Sequence, residues 1–467
     1  MGKVACEALA AIGLILLVSG CTLTRPPGPS CAAFADTAPT EGPADLILRP
    51  STGGYIRPLQ HLFGRPQALA APSAAPADEP PVTVNLLVMS GGGQWGAYGS
   101  GFLNGLYGGS SGSPSAGPTS PPEIALGDYN DITGISAGAI MTLDVWSAVI
   151  HARRGQADAA RAALADLKTA FSYADPQLFK TENTLIYALF SNGLLDPRGR
   201  LERLLKDKIA QETPLYATDP ETQVEVGAVN LTNGKFYSFQ MRDVVRAGAS
   251  QCFSEILLAS SAIPLAFPPR FMNGEPYADG GARYMVYADR FARDVMAEAR
   301  TSRRPITLNI RMIINGNLSA NDPGENAAAT VACDASAPGQ ASSVCPPIAN
   351  SLLGSFLGGG GGKGLVPRVT QDIMLHQINL DSVYRLYTRW RELGLPGSFK
   401  FTYVSNAELA QPPPGAGLTG PCQAPPGTAT EHFNPTFEAC LFAIGRFKGA
   451  AGQWEFSESH PVVPEAP

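Results

Sequence analysis

With 467 residues, 44% of them hydrophobic and 16% charged, the chain is long and apolar enough to bury a substantial core, as one large domain with extensions or as two ordinary ones. A net charge of −6 and the lack of any Lys/Arg-rich run leave no electrostatic footprint for a nucleic-acid partner. Nothing in the sequence reports an oligomeric state.

Residues 1–20 read as a signal peptide, Met1-Gly-Lys3 followed by the apolar run Ala8 to Val18. That run is too short to cross a bilayer as a mature helix. Val18-Ser-Gly-Cys21 resembles a bacterial lipobox, although Glu7 offsets the charge of Lys3. The resemblance implies acylation of Cys21 and durable anchoring of the chain to a membrane of the bacterial cell envelope. Thr22 after that cysteine fits sorting to the outer membrane. An ordinary secretory signal with an incidental cysteine is the alternative. Setting Cys6 and Cys21 aside leaves Cys31, Cys252, Cys333, Cys345, Cys422 and Cys440. An even number in an exported protein points to disulfides, and short separations favour Cys333 with Cys345 and Cys422 with Cys440. There is no Cys-x-x-Cys and no paired histidine, so neither a metal site nor a cofactor is expected.

Residues 21–81, rich in Pro, Ala and Gly, read as a disordered tether. Order is expected from Val82, where the β-branched run Val82 to Met89 predicts a buried strand leading into Ser90-Gly-Gly-Gly-Gln-Trp-Gly96 and a helix with Ala97, Phe102, Leu103 and Leu106 at helical spacing. After the Gly/Ser/Pro run 108–122 comes Tyr129-Asn-Asp-Ile-Thr-Gly-Ile-Ser-Ala-Gly-Ala-Ile-Met141, a strand, a Gly-x-Ser-x-Gly turn and a second helix. Helices are predicted over 157–171, 198–209 and 251–261. Gln223 to Gln240, interrupted by Thr232-Asn-Gly-Lys235, reads as a β-hairpin. The turn Glu275-Pro-Tyr-Ala-Asp-Gly-Gly-Ala282 carries Asp279; a helix over 288–300 and a strand over 306–314 complete a domain expected to span 82–314. Residues 315–367 form a Gly/Ala-rich excursion with five consecutive glycines from Gly358. Residues 368–410 read as a helix and strand packing on the domain. Residues 411–467 read as a tail without informative periodicity. The alternation of strands and helices predicts an α/β layered fold.

Gly-x-Ser-x-Gly occurs twice, at Ser136 and within Gly108-Gly-Ser-Ser-Gly112. A chain with 50 glycines meets the pattern about once by chance, so context must choose between them. Only Ser136 stands between a strand and a helix, where the sharp turn of a nucleophile elbow presents a hydroxyl at the edge of a sheet. Consecutive glycines after a strand can aim backbone N–H groups at the oxyanion of acyl transfer, since no side chain obstructs approach. Gly91 to Gly96 holds no basic residue, which argues against a nucleotide phosphate loop. Asp279, between Tyr277, Ala278, Gly280 and Gly281, stands in an uncharged setting in which burial can raise a carboxylate of reference pKa about 3.9 toward a useful base.

The glycine loop Gly91-Gly92-Gly93, Ser136, Ala259-Ser-Ser-Ala-Ile-Pro-Leu-Ala-Phe-Pro-Pro269 and Asp279-Gly-Gly281 stand in one order over about 85–287. Together they resemble the patatin-like phospholipase family. The resemblance implies a three-layer sandwich with a central, mostly parallel sheet and a Ser-Asp dyad without histidine. By motif, Ser136 is the nucleophile, Asp279 its base, and Gly91, Gly92 and Gly93 the oxyanion hole; membrane lipids or other acyl esters are the implied substrates. Trp95 stands where many members carry Arg or Lys, and Ser90 where plant members carry Asp. Two further functions remain open: a non-catalytic lipid-binding or surface-interaction lipoprotein, and an esterase assisted by His376, His432 or His460, all of which follow Asp279.

Overall fold

Val82–Met89 is β2 of a ten-stranded sheet, and seven of its eight side chains are buried. Such a continuous apolar run suits a parallel strand covered on both faces. In this computed structural model the described residues are 27–37, 82–108, 122–171, 180–181, 195–196, 200–264, 267–288, 295, 305–318, 365–422 and 434–460. The strands are β1 (Ala35–Thr37), β2, β3 (Asp131–Gly134), β4 (Lys180–Thr181), β5 (Leu195–Asp196), β6 (Gln223–Asn230), β7 (Phe236–Gln240), β8 (Arg270–Met272), β9 (Glu275–Asp279), β10 (Ile306–Ile313), β11 (Gly397–Thr402) and β12 (Phe456–His460). The helices are α1 (Gly96–Tyr107), α2 (Ala137–Arg153), α3 (Ala157–Ala170), α4 (Arg200–Tyr216), α5 (Met241–Arg246), α6 (Ser250–Ser260), α7 (Leu365–Leu393), α8 (Asn406–Ala410) and α9 (Pro435–Ala450).

The main sheet runs β1-β7-β6-β3-β2-β10-β11-β12, and β4 pairs with β5 in a separate ribbon. Strands β6, β3, β2, β10 and β11 are parallel, while β1, β7 and β12 are antiparallel to their neighbours. Because side chains alternate across a strand, Leu87 and Met89 join one core cluster with Phe102 of α1, Trp146 of α2 and Leu164 of α3. Val84, Leu86 and Val88 join another with Leu386 and Trp390 of α7. Helices therefore cover both faces, and the three-layer expectation holds.

Two regions differ from the sequence reading. Residues 27–37 lie in the stretch expected to be a tether, yet Ala35–Thr37 pairs antiparallel with Tyr237–Phe239 and extends the sheet. A disulfide from Cys31 to Cys252 of α6 holds this segment, with Cα atoms 5.3 Å apart and 221 residues between them in sequence. Three residues of strand are too short to carry a period, and a long-range disulfide has no local signature. The pairing of Cys422 with Cys440 stands as expected; Cys333 and Cys345 lie outside the described residues. Opening the Cys31–Cys252 loop by Cys31→Ala is expected to cost about 2–5 kcal/mol, because a long crosslink restricts the unfolded chain most. Chemical denaturation of this variant beside the parent measures that cost.

The second difference is the C-terminal region. Far from being a tail, it supplies α9 and the edge strand β12. Asn434 caps α9, accepting from the N–H groups of Thr436 and Phe437, and Pro435 sits at its first turn. Helix α9 packs against α1 backbone to backbone. A methyl group at Gly101 or Gly105 would fall 2.1 Å from the carbonyl oxygens of Phe442 or Arg446, and one at Gly445 or Gly449 would fall 2.1 Å from those of Tyr98 or Phe102. Two Gly-x-x-x-Gly faces therefore let the helices approach more closely than any side chain permits. Buried Lys448 fixes the end of α9, with Nζ 2.8 Å from Glu408, paired also with Glu455, and donating to the Tyr403 carbonyl at 2.7 Å.

Candidate active site

Strand β3 is only four residues long, and its end creates the site. It pairs along β6 as far as Gly134 opposite Val226. Strand β9 then takes up the same edge of β6 from the opposite direction, with Asp279 opposite Ala228. The chain leaving β3 turns at Ser136 just where β9 delivers Asp279. The sheet thus brings together two residues separated by 143 positions (279 − 136) in sequence.

Ser136 has φ 53° and ψ −120°, a backbone conformation that non-glycine residues rarely adopt, and it directly precedes α2. The flanking glycines are sterically required: a Cβ on Gly134 would lie 2.4 Å from the Gly138 carbonyl oxygen, and one on Gly138 2.3 Å from that of Met89. The strained turn is held from the third sequence block. Ser136 N–H donates to Ser260 Oγ at 3.0 Å, and Ser260 Oγ donates to the Gly227 carbonyl at 2.7 Å. Ser261 Oγ donates to the Ser136 carbonyl at 3.3 Å. These buttressing roles of Ser260 and Ser261 cannot be read from sequence, because they depend on α6 ending beside β6.

Asp279 is 3% exposed, and the Ser136 hydroxyl lies close enough to its carboxyl to stabilise the ionised form. The carboxyl also accepts from the Gly281 N–H at 2.7 Å. Burial pushes its pKa up to about 7, and Ser136 and Gly281 act in the lowering direction. A carboxylate so placed is half protonated near neutrality and is a far stronger base than an exposed aspartate. Its backbone is fixed as well, since Asp279 N–H donates to the Ala262 carbonyl at 2.9 Å.

The three glycines of the loop prove unequal. Gly91 packs on Ser136, so that a Cβ there would lie 3.1 Å from the Ser136 Cβ, but its N–H donates to the Met285 carbonyl at 3.2 Å. The Gly91 N–H, expected from the sequence as an oxyanion donor, is thus already engaged by a carbonyl. Its amide hydrogen is held by the chain that follows Asp279. Gly92 (φ 150°) and Gly93 (φ 56°) carry the positive φ that turns the loop, and no acceptor among the described residues takes their N–H groups. A Cβ on Gly92 would fall 1.8 Å from the Asn315 carbonyl oxygen. Gly92→Ala is thus expected to displace the loop and lower turnover at least 10²-fold, the usual cost of losing one oxyanion donor. Steady-state kinetics on an acyl ester, at matched folded fraction by circular dichroism, measures it.

Beyond the loop, a 3-10 turn (Gly93–Trp95) leads into α1 at Gly96, and α2 begins at Ala137. Two helix N-termini therefore border the Ser136 turn, placing partial positive charge where an oxyanion develops. Trp95 meets Phe437 of α9 edge to face, with centroids 5.3 Å apart, so this position packs on α9 and carries no charge. Met285 lies against both Gly91 and Gly281, an apolar wall beside Ser136 and Asp279. Among the described residues, histidine takes no part in these contacts. His460 ends β12, four strands away from β3, while His376 lies in α7 and His432 outside the described residues. Among the described residues, no group of three His, Cys, Asp or Glu is arranged to hold a metal.

Fold and site together define a layered α/β protein with a serine and an aspartate brought side by side at a strand end. Residues 87–292, somewhat less than half of the chain, match the family described as patatin-like phospholipase. No curated protein matches the sequence. Among solved structures, VipD from Legionella pneumophila is similar at 12% identity with a TM-score of 0.23. The alignment covers 52% of this chain and spans about half, 52%, of the VipD chain.

Proposed function

We propose that the protein hydrolyses carboxylic esters of phospholipids or lysophospholipids through a Ser136–Asp279 dyad. The observation that carries this reading is the buried Asp279 carboxyl beside the hydroxyl of a serine on a strained elbow. Asp279 takes the Ser136 proton as Oγ attacks the ester carbonyl. Gly92 and Gly93 donate to the resulting oxyanion. Collapse of the tetrahedral adduct expels the alcohol, which recovers the proton from Asp279 and leaves an acyl-Ser136. Water, activated by Asp279, then releases the fatty acid and returns the proton to Ser136.

We further propose that Cys21 carries the lipid anchor and holds the domain at the envelope membrane, the outer membrane being the favoured site. Support comes from the Val18-Ser-Gly-Cys21 pattern and the targeting segment before it. Fluorophosphonate labelling of the full chain, followed by a panel of phospholipid, lysophospholipid and short-chain ester substrates, tests the function. Wild-type labelling with release of fatty acid is expected. Absence of labelling from a folded, disulfide-bonded preparation would overturn it.

A further inference from the structure

Residue 315 lies outside the patatin-like phospholipase match, which ends at residue 292, yet Asn315 meets the glycine loop at three points. It follows β10 and is 1% exposed. Its N–H donates to Ser90 Oγ at 2.7 Å, and its side-chain amide donates to the Ser90 carbonyl at 2.7 Å. Ser90 Oγ in turn donates to the Gly91 carbonyl at 2.7 Å. The Asn315 carbonyl rests against the α-carbon of Gly92 so closely that no Cβ fits between them. The amide nitrogen also lies 3.5 Å from Met141 Sδ on α2, while Oδ1 sits over Gly99 of α1.

We infer that Asn315 is a positioning residue for the oxyanion loop, a role that rests on the dyad reading of the site. Hydrogen bonds hold both sides of the Ser90–Gly91 peptide, and steric contact fixes the adjoining Gly92. Gly91 N–H is already committed to Met285, so the rotational setting of the next peptides determines whether Gly92 and Gly93 can reach an oxyanion. Preorganised donors stabilise a transition state because they need not reorient during reaction. Asn is the required side chain. Its Oδ1 has no donor among the described residues, so Asp would place a charge in an unpartnered buried position facing the Ser90 carbonyl, and would lose the donated hydrogen.

The test compares Asn315→Asp and Ser90→Ala with the parent chain. Ser90→Ala keeps Asn315 and its side-chain bond but removes the hydroxyl that bridges Asn315 N–H to the Gly91 carbonyl. Active sites are titrated with a fluorophosphonate, and kcat and KM per titrated site are measured on a short-chain ester alongside inhibition by a trifluoromethyl ketone. The hemiketal formed by that inhibitor needs the oxyanion hole. We expect kcat to fall about 10²-fold in Asn315→Asp and about 10-fold in Ser90→Ala. KM should stay within threefold, and ketone affinity should weaken in parallel with kcat. A structural role would instead reduce the titratable fraction and leave kcat per site unchanged. Unchanged kcat and ketone affinity per site in Ser90→Ala overturns the inference even if Asn315→Asp fails to fold. Ser136→Ala separates the two claims: if it retains turnover, the dyad reading fails, whereas an inactive Ser136→Ala beside unchanged Asn315 and Ser90 variants sinks the positioning role alone.

Discussion

Ser136→Ala and Asp279→Asn should each lower kcat/KM on an acyl ester by about 10³–10⁵-fold while leaving the fold intact, and the double variant should be little worse than either single one. The reasoning is that nucleophile and base act on one proton. Without the Ser136 oxygen no acyl-enzyme forms, and without a basic carboxylate the hydroxyl remains a weak nucleophile, so the second substitution removes a function already lost. Asn at 279 can still accept from Gly281 N–H through its oxygen and donate to Ser136 through its nitrogen. The geometry of the turn therefore survives, and the loss can be assigned to base strength. Only Ser136→Ala should also abolish acyl-enzyme trapping by mass spectrometry. Multiplicative effects of the two substitutions would show that they act independently and would break the dyad.

The second large effect is on pH. Asp279 has a folded-state pKa of about 7 against a reference value of 3.8. Base catalysis requires the ionised form, so kcat/KM should rise with pH along a unit-slope limb centred near 7 and level off above it. Stability should move the other way. Below about pH 4 the carboxyl is protonated in both folded and unfolded chains and contributes no pH dependence. Between about 4 and 7 the unfolded carboxylate has released its proton while the buried one keeps it, so rising pH favours unfolding; above 7 the accumulated loss is constant. A shift of about three units corresponds to at most ~4 kcal/mol. Asp279→Asn should therefore be more stable than wild type at pH 8, by about 2–4 kcal/mol, and nearly equal to it at pH 4. Denaturant titration at the two pH values checks this. Equal stabilities at pH 8, or a flat activity profile from pH 5 to 9, would show that burial does not raise this carboxyl.

A gain in stability on replacing Asp279 would be the mark of a site kept at a cost for function. Ser136 shows the same exchange in its backbone, where a non-glycine residue is held at φ 53° by Ser260 and Ser261. The strain and the buried charge lie next to each other, and the hydrogen bonds that sustain them come from α6 and β9. These supports stand outside the Gly-x-Ser-x-Gly pentad.

Much of this arrangement was legible in the chain. Apolar runs placed β2 and β10, Asn-Gly placed the hairpin of β6 and β7, and the order of four short blocks chose Ser136 over the serine of the 108–112 match. Each of these signals is local: a run of side chains that must be buried on both faces, a turn that needs positive φ, or a loop that admits no Cβ. Contacts across the sequence left no such trace. The N-terminal strand, the Cys31–Cys252 bond, the packing of α9 on α1 and the Asn315 clamp all join segments whose residues look ordinary by themselves. Gly101-x-x-x-Gly105 and Gly445-x-x-x-Gly449 are ordinary spacings in a glycine-rich chain, and only docking shows that they meet.

By itself the sequence determined which residues could carry acyl transfer, because a nucleophile elbow, a glycine loop and an aspartate in an uncharged turn are each dictated by local sterics and side-chain chemistry. Tertiary structure alone decided how they work. It joined Asp279 to Ser136 by letting β9 follow β3 along one edge of β6, raised the carboxyl pKa by burial, and tied Gly91 to Met285, leaving the Gly92 and Gly93 N–H groups without an acceptor among the described residues. Register, desolvation and the competition for each backbone hydrogen bond depend on the partners a residue meets in space, and the chain reveals these only once folded.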